Sequence, residues 1–318
     1  MKKDVCIIGG GAAGLSASVF AARRGLSTVI VAKDLGGQTS STAEIENYPG
    51  VGRIEGADLI ARFADEARGF GCEIILDEIV SVEPFDDSFR IQGIRSSYEA
   101  LSVVLAFGKT PRDIGAVREK DFFGKGVSAL TVPIPQEVQG TSVAVVGGGN
   151  SALDAAARLA SVAARVYLIH RRDDFRGEQV LVDRISTHSR IIKKTPFIVR
   201  EIGGQEHVSS ITIEHAESGA QEVISVDFVF PAVGFEPRAG FVKDLVTCDE
   251  SGHIIIDQFC ATNVQGIFAA GDSTTVPYQQ IIISAGEGAK AALSAYHFLQ
   301  KKFGKRAVKT DWGFIATE

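Results

Sequence analysis

A strand that runs into closely spaced glycines and then directly into a helix occurs twice in this chain, and that repetition narrows the possible folds more than any other feature. The first copy has a buried strand from Asp4 to Ile8, then Gly9-Gly10-Gly11-Ala12-Ala13-Gly14, a helix from about Ala13 to Arg24 and a second strand from Ser27 to Ala32. The second has a strand from Ser142 to Val146, then Gly147-Gly148-Gly149-Asn150-Ser151-Ala152, a helix to about Ala163 and a strand from Arg165 to Ile169. Each is the opening β-α-β of a doubly wound sheet. The expected fold is α/β, with two Rossmann-like dinucleotide-binding domains of three-layer ββα type. A chain of 318 residues has room for both cores.

The first run fits G-x-G-x-x-G in the setting that gives the pattern meaning, after a strand and at the start of a helix. Gly9 permits the tight turn, Gly11 lets a pyrophosphate reach the free N–H groups and positive dipole end of the helix, and Gly14 allows close helix packing. The second run has Ala152 at the third glycine position, which dinucleotide sites accept. Its following strand ends in His170-Arg171-Arg172, with Arg176 shortly after. An acidic residue there would hold a free ribose 2′-hydroxyl, whereas guanidinium groups pair with a 2′-phosphate and favour NADPH over NADH. The alternative is a solvated basic turn, partly neutralised by Asp173 and Asp174. Near the C-terminus, Gly266-Ile267-Phe268-Ala269-Ala270-Gly271-Asp272 reads as a strand ending in Gly-Asp. In flavoproteins such an Asp accepts a hydrogen bond from the ribitol of FAD, and the helix after Ser284 would aim its N-terminus at the flavin. If one FAD is held by both Gly9 and Asp272, the chain ends form one domain and the middle is inserted into it. The expected boundaries are 1-112 with 243-318 for FAD and 113-242 for NADPH.

Composition excludes several classes. Thirty-three basic against 39 acidic residues leave a net charge of −6, which argues against generic binding to nucleic acid or anionic lipid. No signal-type segment or spanning apolar run is visible, so the expected location is the cytoplasm. Cys6, Cys72, Cys248 and Cys260 form no C-x-x-C and have no metal-ligand spacing with the histidines, so no metal is expected. Segments 86–114 and 199–230 read as small antiparallel layers capping the sheets. A last helix is expected from about Gly286 to Phe303, with Gly304 as its C-cap.

With these motifs, and with Gly36-Gly37-Gln38, Glu46-Asn47-Tyr48-Pro49-Gly50 and Gly126-Val127-Ser128, nearly the whole chain resembles the low-molecular-weight thioredoxin reductases. It is also similar to the flavoprotein part of alkyl hydroperoxide reductase, most closely over 266–292. The resemblance implies an FAD enzyme that draws electrons from NADPH and works as a homodimer. It adds Asp34, Gly37, Gln38, Asn47, Val80, Gln280 and Ile281 to the FAD contacts, alongside Gly9, Gly11, Ala12, Ala13, Gly14, Gly271 and Asp272. It assigns Gly147, Gly149, Asn150, Ser151, Ala152, His170, Arg171, Arg172 and Arg176 to NADP.

One departure changes the chemistry. Both relatives carry a redox C-x-x-C followed by Asp between the segments matching Gly126 and Gly147. Here the two cysteine positions fall on Leu130 and Pro133, and the Asp on Ile134. Disulfide exchange needs a thiolate, and neither Leu nor Pro supplies one. Cys248 and Cys260 could pair across a turn, but a catalytic role for them is not the expected reading. The bound cofactor then carries the chemistry with no catalytic side chain, and the first expectation is a thioredoxin reductase-like NADPH enzyme serving ferredoxin or flavodoxin. Reduction of quinone, oxygen or another small acceptor is the alternative enzyme, and a nucleotide-binding redox sensor or scaffold is the alternative class. Trp312 and Phe314 in the tail either stack over the flavin or belong to a frayed terminus. In a coupled assay, thioredoxin should raise NADPH oxidation no further than background. Sustained thioredoxin-dependent turnover would show that another thiol pair serves as relay.

Overall fold

Val5, Cys6, Ile7 and Ile8 are apolar without alternation, as expected of a strand buried on both faces. Successive side chains enter different cores, Val5 and Ile7 on one face and Cys6 and Ile8 on the other. The structure, a computed structural model, describes residues 2–42, 44–129 and 134–305. In chain order the elements are β1 (Lys2–Gly10), α1 (Ala12–Arg23), β2 (Thr28–Leu35), the one-turn α2 (Gly37–Ser40), α3 (Gly56–Gly69), β3 (Glu73–Leu76), β4 (Ile79–Phe85), β5 (Ser88–Gly93) and β6 (Ser97–Leu105). Then come β7 (Thr110–Pro111), β8 (Ser142–Val146), α4 (Asn150–Leu159), β9 (Arg165–Ile169), α5 (Gln179–Ser186) and β10 (Ile191–Lys194). The chain continues through β11 (Phe197–Gly204), β12 (Val208–His215), β13 (Gln221–Ser225), β14 (Phe228–Pro231), β15 (Phe235–Glu236), β16 (Ile267–Ala269) and α6 (Ile281–Lys302). Two units result: Met1–Lys109 with Pro237–Glu318, and Thr110–Glu236.

The first unit is built on the order β3-β2-β1-β6-β5-β4, with β16 also on β6. β6 is shared between two layers. Along one edge it pairs parallel with β1, Lys2 opposite Glu99 through Ile8 opposite Leu105. Along the other, its first half pairs antiparallel with β5 and its second half, Val103 to Leu105, pairs parallel with β16. The antiparallel layer expected over 86–114 therefore comprises β5 and only the start of β6. Ser102, Val103, Val104 and Leu105 are fully buried, and a strand covered on both faces belongs in the parallel sheet.

α1 is rich in Ala, Gly and Ser, and α6 lies close against it. A Cβ at Gly14 would strike the Gly9 carbonyl, and one at Gly288 would strike the Ala13 carbonyl. α6 starts five residues before its expected first residue. The β-branched run Ile281-Ile282-Ile283 has strand propensity, but Ser284 N–H already bonds to the Gln280 carbonyl (2.9 Å) and the helix proceeds into the core through Ala285, Gly288 and Ala291. Gly304, at φ +66°, follows its end as expected.

The second unit has a parallel sheet, β10-β9-β8-β14, an antiparallel layer, β11-β12-β13, and the short pair β15-β7. The segment 199–230 is not wholly antiparallel as expected, because its last strand, β14, pairs parallel with β8, Phe228 opposite Val143. Val229 and Phe230 are buried, again the mark of a two-sided strand.

Gly288→Ala should lower unfolding free energy by about 1–3 kcal/mol, because the added methyl overpacks α1 against α6. Gly69→Ala, on α3 with open space at its Cβ position, should be neutral or up to about 1 kcal/mol stabilising. Thermal unfolding followed by circular dichroism compares the two, and equal melting temperatures would refute the close-contact argument.

Candidate functional site

In the first unit, the end of β1 places Gly11 as the N-cap of α1, with φ −80° and ψ −173° and no side-chain cap. The first helical bond runs from Leu15 N–H to the Gly11 carbonyl (2.9 Å), so the N–H groups of the first turn have no acceptor within the helix. The first turn carries no acidic side chain. A Cβ at Gly11 would meet only the Gly36 carbonyl oxygen, at 3.9 Å, so the position beside the helix start is open. Gly9 is different: at φ +116° it lies directly against the Ala106 carbonyl.

Other expected contacts gather around this turn. Gly36 N–H donates to the Gly10 carbonyl (2.8 Å), and the Asp34 carboxylate accepts from Gly37 N–H (3.1 Å). The Gln38 amide donates to the Lys109 carbonyl (3.3 Å). Val80, 49% exposed, lies two residues beyond Glu78, whose carboxylate pairs with Lys33 beside Asp34 (3.3 Å). Gly271, at φ +75°, sits against Ala13, where a Cβ would be 2.9 Å from the alanine methyl. That contact brings Asp272 beside the start of α1, and Ser284 Oγ of α6 donates to Asp272 Oδ1 (3.0 Å). Gln280 is the N-cap of α6, and its side-chain oxygen accepts from the Asn47 amide (2.9 Å). Every expected FAD residue thus belongs to the first unit, drawn from both ends of the chain. Sequence reading missed the Ser284 and Lys109 partners, and no spacing signalled them.

In the second unit, Gly147 (φ +153°) is pressed on the Ala232 carbonyl, whereas Gly149 caps α4 with open space at its Cβ position. Ser151 is exposed on the first turn and Ala152 is fully buried. His170 is only 5% exposed, and its ring stacks on Phe175 (5.6 Å) and fills the space where a Gly148 side chain would go. Its Nε2 has no hydrogen-bond partner among the described residues. Burial, then repulsion from Arg176, Arg172 and Arg171, pushes its pKa down and favours neutral imidazole. The three arginines are exposed and, among the described residues, form no ion pair, even with the neighbouring Asp173 and Asp174. Asn150 is engaged with Glu178, a partner that sequence reading did not identify.

The thiols form no relay. All four cysteines are free. Burial pushes Cys6 up to about 12. Cys260, fully buried, donates its S–H to Glu287 Oε2 (2.9 Å), and burial and that carboxylate both push its pKa up. Burial likewise raises Cys72 and Cys248. Leu130 and Pro133 lie outside the described residues, as do Trp312 and Phe314. Ile134 is described and packs against the core beneath α4. Among the described residues there is no cluster able to hold a metal and no helix long and apolar enough to cross a membrane.

Comparison with known proteins agrees with this geometry. The chain is 36% identical over 305 residues to a thioredoxin reductase of Spironucleus barkhanus, covering 94% of this chain and 99% of that protein. It is 34% identical over 298 residues to a component of the alkyl hydroperoxide reductase of Staphylococcus aureus, covering 93% of this chain and 59% of that longer protein. Among solved structures, thioredoxin reductase of Lactococcus lactis superposes with a TM-score of 0.81 at 32% identity, covering 94% of this chain and 99% of that one. Thioredoxin reductase-like homologues use FAD and NADPH. Residues 3–292 match the pyridine nucleotide-disulphide oxidoreductase family, and with its paired glycine turns the chain belongs to that family of NAD(P)H- and flavin-using enzymes.

Proposed function

We propose that the first unit binds FAD, that the second binds NADPH, and that electrons leave the bound flavin directly for a separate redox acceptor, ferredoxin or flavodoxin, with no protein disulfide between. The observation that carries this reading is the thiol inventory. The dithiol positions hold Leu130 and Pro133, and the remaining cysteines are free, with raised pKa values that leave little thiolate. The chemistry that bound FAD supplies is acceptance of a hydride and its return as single electrons or as a pair, which suits one-electron carriers.

The residues bind and orient. The first turn of α1 offers unpaired N–H groups and a positive dipole end to the FAD pyrophosphate. Gly11 leaves the space for it, and Gly9 and Gly14 hold the helix in place. Asp272, fixed by Ser284, would accept from the ribitol, and Gln280, Ile281, Asn47 and Gln38 would hold the flavin end. In the second unit, Gly147 and Gly149 play the corresponding part at α4 and Ser151 faces the phosphates. Arg171, Arg172 and Arg176 take the 2′-phosphate, with neutral His170 beneath them. No side chain is needed as acid or base, because hydride transfer requires alignment of the two rings.

Purified protein with NADPH and a panel of acceptors tests the reading. Stopped-flow mixing should bleach the flavin rapidly, and ferredoxin or flavodoxin should then support the fastest turnover. Faster turnover with quinone or oxygen would assign a small acceptor instead, and failure to bleach would favour a sensor. Coenzyme choice is a separate test. Charge-assisted hydrogen bonds contribute roughly 1.5–3 kcal/mol, so Arg171→Ala or Arg176→Ala should weaken NADPH about ten- to a hundred-fold and leave NADH nearly unchanged. An unaltered NADPH/NADH ratio would reduce the basic turn to a solvated surface.

A further inference from the structure

The arginine loop between β9 and α5 presents long side chains to solvent, and ordering such groups on a ligand normally offsets part of the electrostatic gain. Its backbone, however, is pinned at three places. At its start His170 N–H donates to the Lys194 carbonyl (3.0 Å) and the His170 carbonyl accepts from Phe197 N–H (2.9 Å). At Arg176 the backbone N–H donates to the Gly148 carbonyl, inside the glycine turn itself (2.7 Å). Beyond it, Asn150 and Glu178 exchange a reciprocal pair of hydrogen bonds. The Asn150 amide donates to Glu178 Oε1 (2.9 Å), and Glu178 N–H donates to Asn150 Oδ1 (2.8 Å). Asn150 is the first residue of α4 and Glu178 the N-cap of α5, so this clasp ties the helix that opens at the glycine turn to the far end of the arginine loop. Between them Gly177 has no room for a side chain: a Cβ would lie 3.0 Å from Asn150 Oδ1 and would collide with Leu153.

We infer that Asn150 and Glu178 are positioning residues for coenzyme choice: their clasp holds the arginine loop against the start of α4, so that recognition of a 2′-phosphate depends on it and binding of the remaining nucleotide does not. The inference rests on the reading that the arginines take the 2′-phosphate. The clasp side chains are spent on each other and act on the ligand through the loop. The glycine turn keeps its own supports, Gly147 on the Ala232 carbonyl and the Gly147 N–H bond to the Ile169 carbonyl (2.9 Å), when the clasp is broken. Glu178 carries a negative charge near an anion site, a poor choice for binding phosphate by itself, and its value there is geometric. Glutamine at that position keeps an oxygen to accept from Asn150 and removes the charge.

Calorimetric titration of the FAD-loaded full chain with 2′,5′-ADP and with 5′-AMP separates the two effects without any need for turnover. Glu178→Ala should weaken 2′,5′-ADP about ten-fold, the equivalent of one positioned charge-assisted hydrogen bond, and change 5′-AMP by less than about two-fold. Retained 5′-AMP binding also reports that the variant site is folded. Glu178→Gln should bind 2′,5′-ADP as tightly as the parent or more so. Equal losses for both ligands, or a gain in Glu178→Ala matching that in Glu178→Gln, would overturn the clasp, leaving a general structural role or a simple charge effect. Arg171→Ala controls for the underlying reading. If it weakens 2′,5′-ADP while Glu178→Ala does not, only the clasp is refuted. If it has no effect, the arginine site and the inference fall together.

Discussion

Backbone resting on backbone at the strand-to-helix turn is the contact on which the first unit depends. Gly9 lies on the Ala106 carbonyl, Gly14 on the Gly9 carbonyl and Gly288 on the Ala13 carbonyl, and none of these approaches leaves room for a methyl group. Together they set α1 between the ends of β1 and β6 on one side and α6 on the other. Two consequences follow. The N-terminus of α1 opens beyond the sheet with its first N–H groups unspent, which suits it to the anion the proposed reading puts there. Gly271, seated on Ala13 by the same close packing, delivers Asp272 to that opening from the far end of the chain. Helix packing thus brings residues from both ends of the chain to one place.

The second unit uses the same device and adds a charged loop to it. Gly147 approaches the Ala232 carbonyl as Gly9 approaches Ala106, but Gly148 is pressed against the His170 ring, so the glycine turn and the loop after β9 share a contact. His170 is therefore buried among three cations, and burial and repulsion together favour its neutral form. The positive charge of the loop resides on the guanidinium groups of Arg171, Arg172 and Arg176.

What could be read from the sequence divides along the range of the interactions involved. Both β-α-β units were legible because strand, turn and helix are neighbours in the chain and the glycine spacing marks the turn between them. The double role of β6 was not, since its partners β5 and β16 lie on opposite sides of it in sequence and the change from one to the other leaves no mark except the apolar run 103–105. The early start of α6 was hidden by the isoleucine run, whose local preference yields to burial against α1. Cys72 is buried just beyond α3, because α3 turns Ile60, Ala64 and Ala67 toward α1 and carries the following turn inward, a placement that no spacing in the sequence marks. The Asn150–Glu178 clasp joins residues in separate elements, and nothing in the spacing of an Asn and a Glu distinguishes it from two solvated side chains.

The state of the cysteines constrains how electrons can leave the molecule. A thiol relay needs a pair close enough to bond and at least one member ionised at working pH. Cys6 and Cys72 belong to different cores, and both are free thiols. Cys260 spends its proton on Glu287, a carboxylate that also pairs with Lys290 (2.7 Å). Removing that proton would set a thiolate against a carboxylate in a fully buried position, which is why the pKa rises and why a bond to Cys248 is disfavoured chemically. With no pair able to exchange, the proposed reading leaves the bound cofactor to pass electrons on and leaves acceptor choice to the surface around it.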